Sequence, residues 1–284
     1  MTEQSVSICP TGAGVGAFVE DVDLSTSLGN SGTQDLLSGL GEHGVLFFRD
    51  QTLSPEQHLA FAEEVGDIDI NRFFKPVENY PKIAEVRKEP VHKVAVGERW
   101  HTDHSYDIEP ALGSILVARE LPSHGGDTIF SNMYKAYDAL SDGLKKTLDG
   151  LTAEHSTRHR FGAIPKSPEL AKEYEGRIGN ADMAVQDSVH PVVIRHPISG
   201  KKALYVNADF TTGFAGWTVE ESQSLLDYLY AHAAQEEFTY RFQWKPGSIA
   251  FWDNRASWHK ALNDYHGERR LMHRITIRGE ALSA

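Results

Sequence analysis

Apolar positions recur along most of the chain with the spacing of short strands. Helical spacing covers fewer segments, and two of these open with a capping box, Ser54 with Gln57 and Thr218 with Glu221. Many short strands, Gly/Pro turns and few helices predict a mainly β (α+β) barrel or jelly roll rather than a parallel βαβ fold. The predicted strands are 44–49, 110–119, 121–130, 191–195, 203–206, 238–243, 248–252 and 274–278, and the predicted helices are 33–40, 54–65, 133–139, 142–148 and 218–234.

Two long segments, 67–98 and 155–190, lack a regular pattern and carry many polar and aromatic residues. Long irregular connections inside a compact domain are often binding loops or active-site lids. We therefore expect a single domain over residues 1–284, with both segments as lid loops near the functional site.

Charge and composition exclude several classes of protein. The formal net charge of -12 argues against a nucleic-acid partner, which would need a basic surface. Cys9 is the single cysteine, so no internal disulfide can form. The N-terminus, residues 1–10, lacks the pattern of a secretory signal, and no segment approaches the roughly 20 apolar residues of a membrane helix. We expect a cytoplasmic protein that is not bound to membranes.

A candidate metal site begins at His101 and Asp103. On an extended strand these side chains would point to the same face, because strand side chains alternate. The candidate third ligand is His259, which follows the predicted strand 248–252. Two histidines and one carboxylate on one face of an octahedron leave the opposite face open, the arrangement of non-haem Fe(II) oxygenases. The alternative at this stage is a hydrogen-bonded polar pair on a strand.

Five blocks of sequence, in this order, resemble the family of Fe(II)- and 2-oxoglutarate-dependent dioxygenases that includes taurine dioxygenase and 2,4-dichlorophenoxyacetate dioxygenase. Together they span most of the chain, and their combination is far more specific than any one block. The blocks are Trp100-His101-Thr102-Asp103, the segment 121–128, His190-Pro191-Val192-Val193 with 196–207, Trp252 to His259, and Arg269 to Arg274.

The resemblance implies a double-stranded β-helix, or jelly roll, with His101, Asp103 and His259 as ligands of Fe(II). It also implies that Thr128 and Arg270 bind the distal carboxylate of the cosubstrate 2-oxoglutarate. Arginine suits that role because its guanidinium binds a carboxylate bidentately. Arg274 would lie nearer the iron, close to the other cosubstrate carboxylate and to the anionic group of the substrate. With O2, such an enzyme hydroxylates its substrate and releases succinate and CO2.

The substrate is less well defined by the sequence. Taurine itself is not expected, because Gly97 stands where taurine dioxygenase has an asparagine. Asn71, Arg72, Phe73 and Phe74 in the first irregular segment suit a small anionic molecule with an apolar or aromatic body, with Arg72 and Phe73 as the candidate contacts. Hydroxylation could lead on to C–O or C–S cleavage. His104 and Tyr106 are further candidates for the substrate side, with structural roles equally open. An alkyl sulfonate or alkyl sulfate is the alternative substrate.

Two other classes of function remain open from the residues alone. The same three ligands could hold Zn²⁺ for hydrolysis, although Thr128 and Arg270 would then have no role. A barrel that binds a metabolite without catalysis is the second alternative. In either case we expect a small-molecule partner and, as is common in the resembled family, a homo-oligomer, either a dimer or a tetramer.

Overall fold

The protein is described by a computed structural model that covers residues 6–284; residues 1–5, part of the N-terminal segment interpreted above, lie outside the described residues. Its strands are β1 Ser7–Pro10, β2 Ala17–Glu20, β3 Val45–Phe48, β4 Ile68–Asp69, β5 Pro76–Val77, β6 Tyr80–Lys88, β7 Gly113–Glu120, β8 Thr128–Asn132, β9 Thr152–Ser156, β10 Asp187–Pro191, β11 Val193–Arg195, β12 Lys202–Leu204, β13 Thr211–Phe214, β14 Thr239–Phe242, β15 Ile249–Asp253, β16 Ser257–Ala261 and β17 Arg270–Ile277. The α-helices are α1 Gly29–His43, α2 Pro55–Val65, α3 Met133–Asp138, α4 Asp142–Leu148, α5 Pro168–Tyr174 and α6 Val219–Ala233, and the 3₁₀ helices are Phe161–Lys166, Ala181–Met183 and Glu236–Phe238.

Two sheets face each other and form the jelly roll. The larger has the order β1-β2-β3-β15-β7-β17-β6-β5, with β4 paired to β17, and the smaller has the order β14-β8-β16. Aromatic side chains fill the space between them: the rings of Phe47 on β3 and Phe242 on β14 stack with centroids 4.3 Å apart. Trp252 and Met272, also fully buried, extend this layer toward the site. The expected jelly-roll fold is therefore present.

Helices α1 and α2 cover the outer face of the larger sheet. Leu36 and Leu40 of α1 and Phe61 of α2 pack in one apolar cluster with Ile115 of β7 and Ile275 of β17. Both predicted capping boxes are present, at Ser54 with Gln57 and at Thr218 with Glu221. In the described part of the chain, no helix has both the length and the apolar character needed to cross a membrane.

The first irregular segment contains a long strand that the sequence pattern does not reveal. The prediction of an irregular 67–98 is wrong for β6, a nine-residue strand that pairs antiparallel with β17 inside the larger sheet. Its charged positions interrupt the apolar alternation, and pairing with β17, distant in sequence, holds it in place. The second segment, 155–190, carries short helices between β9 and β10.

Candidate active site

His101, Asp103 and His259 converge at one end of the jelly roll. The Nε2 atom of each histidine lies 3.7 Å from an oxygen of Asp103, and the three potential ligand atoms all lie within 4.8 Å of one another. Two backbone hydrogen bonds join His101 and His259: each amide donates to the carbonyl of the other residue, at 3.1 and 2.9 Å. The backbone thus fixes the separation of two potential metal ligands.

The local backbone differs from the expected strand. His101 forms an isolated bridge, and the chain then enters a turn in which His104 has a φ of 60°. The prediction that one extended strand carries both His101 and Asp103 is therefore wrong, and Asp103 reaches the histidines from a turn. His259 lies within β16, a strand that the sequence pattern did not predict.

Hydrogen bonds and nearby charges keep His101, Asp103 and His259 in states that favour the binding of a cation. His101 Nδ1 donates to the carbonyl oxygen of Arg99 at 2.7 Å, so Nε2 is the ring nitrogen that remains for binding a metal. Burial acts to raise the pKa of Asp103, but Arg274 and the nearby imidazoles outweigh burial and hold that pKa well below its usual range. Burial also lowers the pKa of His259, so its imidazole is neutral near pH 7.

Arg270 and Thr128 lie together on the same cavity wall. Thr128 Oγ1 accepts a hydrogen bond from Trp244 Nε1 at 3.0 Å, and the Arg270 guanidinium lies 5.7 Å from the centroid of the Trp244 ring. Arg270 is 5% exposed, yet its Nε and Nη2 atoms have no hydrogen-bond partner among the described residues. Buried donors without acceptors are costly, so this wall is well suited to an anion.

Arg274 lies between Asp103 and an aromatic ring. Its Nη1 lies 3.3 Å from both oxygens of Asp103, and its guanidinium lies 4.6 Å from the centroid of the Phe74 ring. Its Nε atom is buried without a hydrogen-bond partner. Arg274 can therefore keep Asp103 ionised and still present a donor to a bound anion.

These residues form the floor of a cavity whose roof comes from the two irregular segments. The floor comprises His101, Asp103, Thr128, His259, Arg270 and Arg274. The roof comprises Phe74, Phe161, Ile164, Leu170, Tyr174 and Ile178. The floor is charged and the roof is mainly apolar.

The two roof segments are joined to each other. Phe74 and Ile178 form a backbone bridge, and the amide of Gly179 donates to the carbonyl of Phe73 at 2.8 Å. Arg177 donates to the carbonyl of Val94 in the first segment at 3.1 Å. Residues of both segments line the cavity, and their action as lids stays a prediction.

The four predicted substrate residues do not line this cavity. Arg72 binds both oxygens of Asp107, at 2.8 and 3.0 Å, and faces a separate surface depression. His104 donates from Nδ1 to Asp107 at 3.0 Å. Phe73 and Tyr106 are buried behind the lining, where both rings pack against Phe161. Each side chain is thus engaged outside the cavity lining in this structure, and a direct substrate contact by any of the four stays a prediction.

The cavity contains residues that sequence reasoning missed. Phe161, His159 and Arg160 line it from the second segment, and Arg160 forms an ion pair with Asp209 at 3.3 Å. Phe74 also lines the cavity; the sequence named it together with Phe73, but no motif distinguished which of the two would face the site. No periodicity indicated which residues of 155–190 would face inward, because they lie on short helices and loops.

The residues fit both a divalent metal and a dicarboxylate. The cluster of His101, Asp103 and His259 offers two imidazoles and a single carboxylate. This is the set of ligands found in non-haem Fe(II) sites. The buried, unpartnered nitrogens of Arg270 supply what a carboxylate requires. A second cluster, Asp69 with His104 and Asp107, fits a cation less well, because Arg72 already binds Asp107.

Comparisons with known proteins agree with this arrangement. Residues 7–276 match the family described as "Taurine catabolism dioxygenase TauD, TfdA family". The alpha-ketoglutarate-dependent (2-oxoglutarate-dependent) sulfate ester dioxygenase of Pseudomonas putida is 32% identical over 97% of this chain and 90% of its own length. The alpha-ketoglutarate-dependent 2,4-dichlorophenoxyacetate dioxygenase of Cupriavidus pinatubonensis is 33% identical over 94% of this chain and 95% of its own length.

Solved structures give the same result. A taurine dioxygenase from Burkholderia xenovorans superposes with a TM-score of 0.81 and 33% identity, covering 99% of this chain and 93% of its own. Family members use Fe(II), 2-oxoglutarate and O2, which decides against the hydrolase and non-catalytic alternatives. The chain belongs to the TauD/TfdA family and is a non-haem iron, 2-oxoglutarate-dependent dioxygenase.

Proposed function

We propose that His101, Asp103 and His259 hold Fe(II), and that Thr128 and Arg270 bind the distal carboxylate of 2-oxoglutarate. The observation that carries this proposal is the convergence of two imidazoles and a carboxylate on one cavity floor, beside buried arginine nitrogens that have no hydrogen-bond partner among the described residues. Nε2 of both histidines faces Asp103, and two nitrogens of Arg270 lack acceptors among the described residues. When bound, the iron and cosubstrate supply the oxidation of a substrate C–H bond with O2.

The protein residues have separate tasks in this reaction. Asp103 stays ionised beside Arg274 and so remains available to the metal. His101 is held in the correct tautomer by the carbonyl of Arg99. The apolar roof limits the access of water to the floor, which strengthens charge interactions there. Arg274 provides a fixed positive charge for orienting an anionic substrate.

We further propose that the substrate is a small organic anion with an apolar or aromatic body. Arg274 supplies the positive charge, and Phe74, Phe161 and Tyr174 supply an apolar surface. The two relatives named above act on a sulfate ester and on an aryloxyacetate, and both compounds match this description. An alkyl sulfate or sulfonate remains the alternative to an aryloxy carboxylate. Hydroxylation of the carbon next to the ester or ether oxygen would lead to C–O cleavage, and hydroxylation of the carbon next to the sulfur of a sulfonate would lead to C–S cleavage.

The first test is an anaerobic titration of the metal-free protein with Fe(II) and then 2-oxoglutarate. We expect the weak visible charge-transfer band of the chelate, its loss in His101→Ala and its weakening in Arg270→Ala. A panel of alkyl sulfates, sulfonates and aryloxy carboxylates, read by succinate release, then tests the substrate class. Well-folded, iron-loaded protein without the band would contradict the assigned site.

The single domain and the setting of the enzyme remain predictions. We propose that residues 1–284 act as one domain, in the cytoplasm, as a homo-oligomer that binds neither nucleic acid nor membranes. The net charge of -12 supports the absence of nucleic acid. Light scattering of the purified protein measures the oligomeric state directly, and a monomer would contradict this part of the proposal.

A further inference from the structure

Lys88, the last residue of β6, is a buried amine with no acceptor. Its side chain is 2% exposed, and Nζ has no hydrogen-bond partner among the described residues. Nζ lies 4.3 Å from the centroid of the Tyr265 ring. A buried ammonium is costly unless it is paired, and lysines usually extend their amine to water instead. The position therefore calls for an explanation beyond packing.

The strand register places Lys88 beside Arg270 on the cavity side of the sheet. Lys88 and Arg270 are direct partners in the antiparallel pair of β6 and β17. Directly paired residues project to the same face, with Cβ atoms about 5 Å apart. Val86, on the same face of β6, lines the cavity, whereas Ile83 packs on the opposite face beneath the helices. Lys88 itself is not among the residues that line the cavity, so its amine is next to the cavity wall that Val86 and Arg270 form.

The positive charges of Lys88 and Arg270 have no protein counter-ion in contact. Within the described residues, neither side chain forms an ion pair within 4.0 Å. Asp127, whose charge acts on Arg270, is bound by Arg241 at 2.7 Å. Glu98 and Glu173 act on Lys88 only from beyond ion-pair distance. Tyr265 and Arg270 both approach Gly126, so the lysine, the ring and the guanidinium belong to one small region.

We propose that Lys88 is a second cationic ligand for the distal carboxylate of 2-oxoglutarate, acting together with Arg270. This inference rests on the proposed role of Arg270 in binding that carboxylate. In it, the guanidinium and the ammonium contact the carboxylate from neighbouring strands, and Tyr265 holds the lysine stem in place. Lys88 acts as a binding and positioning residue for the cosubstrate and takes no part in proton or electron transfer.

The test compares two metal chelators that differ in their distal group. N-oxalylglycine resembles 2-oxoglutarate and carries the distal carboxylate, whereas oxalate chelates the metal without one. Isothermal titration calorimetry on the Mn(II)-loaded protein gives Kd for each, without turnover. In Lys88→Met we expect Kd for N-oxalylglycine to rise about 10-fold or more, the value of a charge-assisted hydrogen bond, while Kd for oxalate stays unchanged.

Two comparisons separate the possible failures. If Lys88→Met binds N-oxalylglycine as the wild type does and only its Tm falls, Lys88 merely packs on Tyr265 and the inference is wrong. If Arg270→Met also leaves the N-oxalylglycine to oxalate ratio unchanged, the proposed carboxylate site itself fails. Should Lys88→Met not fold, amine labelling of Lys88 in the wild type, read by mass spectrometry, replaces it. Slower labelling with N-oxalylglycine than with oxalate at equal occupancy supports the inference, and equal rates contradict it.

Discussion

The floor and the roof of the cavity are built in opposite ways. Floor residues lie on central strands or are tied to them by backbone hydrogen bonds, as His101 is to His259. Roof residues such as Phe161 and Leu170 lie on short helices between strands. The floor carries the metal-ligand and arginine side chains, and the roof is mainly apolar apart from His159 and Arg160. From this difference we infer that residues on the sheets determine which reaction is catalysed, whereas the two covering segments determine which substrate is bound.

The largest expected effect comes from the floor. Asp103→Ala removes a metal ligand, and we expect Fe(II) affinity to fall by more than about 100-fold, beyond the usual loss for an outer residue. Isothermal titration under anaerobic conditions measures it, with exposed Asp182→Asn as the control. Near-normal affinity in Asp103→Ala would mean that the metal is held elsewhere.

The second effect concerns substrate charge. Arg274→Leu removes a guanidinium within 3.3 Å of Asp103, and we expect kcat/KM for an anionic substrate to fall roughly 10- to 100-fold. Kd for N-oxalylglycine should change less than kcat/KM, because Arg270 keeps the distal carboxylate. Steady-state kinetics and calorimetry give the two numbers. Equal losses in both would show that Arg274 serves the cosubstrate alone.

The third effect comes from the roof. Phe161→Ala should raise KM for an apolar substrate about 10-fold, the range for lost apolar contact in a pocket, with Kd for 2-oxoglutarate unchanged. The control is Val185→Ala in the same segment, since Val185 is 53% exposed and outside the cavity lining. A higher Kd for 2-oxoglutarate in Phe161→Ala would contradict the assignment of substrate binding to the roof and cosubstrate binding to the floor.

A fourth, smaller effect concerns the stability of the sheet under the floor. Burial, together with the Arg119 charge, lowers the pKa of His58 from 6.5 to about 3. The unfolded chain then binds a proton below pH 6.5 that the folded protein does not, so stability is full above that pH and falls below it. At pH 5.5 this residue should cost about 1 kcal/mol.

Chemical unfolding at pH 7.5 and 5.5 measures this dependence. His58→Gln should reduce the difference between the two pH values by about 1 kcal/mol, whereas His266→Gln, on the surface, should leave it unchanged. An unchanged pH dependence in His58→Gln would show that His58 is not the group that titrates.

The smallest effect is expected at Arg72, which lies outside the cavity lining. Arg72→Ala breaks the pair with Asp107 and should cost about 1 kcal/mol of stability, with kcat/KM changed less than about threefold. Denaturant unfolding and kinetics on the same preparation test both values. A large loss in kcat/KM with intact stability would restore the direct substrate role first predicted for this residue.

Local signals in the sequence predicted local structure well. Ser54 with Gln57 and Thr218 with Glu221 gave helix starts that the structure reproduces, because a capping box depends on residues three apart. The family blocks also identified the residues that form the floor. Their chemistry is distinctive enough to be recognised without knowledge of the backbone that brings them together.

Features that depend on distant contacts could not be predicted. The strand β6 is held by pairing with β17, and its charged residues hide the strand pattern. Phe74 faces the cavity and Phe73 faces away from it. The backbone bridge between Phe74 and Ile178, which are distant in sequence, sets this orientation. At His104 the backbone adopts the left-handed conformation, which is uncommon for any residue other than glycine. A histidine in the sequence is therefore not enough to predict this turn. Lys88 likewise looked like an ordinary charged residue before its register partner was known.

The bridge between His101 and His259 has a consequence for how the protein matures. These residues are far apart in the sequence, so their pairing has to await long-range closure of the chain, a slow step in β-rich proteins. Once closed, the bridge fixes the backbone of both residues through hydrogen bonds that involve no metal. We therefore expect the polypeptide to fold without the ion, and a chelator to strip the iron and leave the fold intact, so that activity returns on adding Fe(II) without refolding.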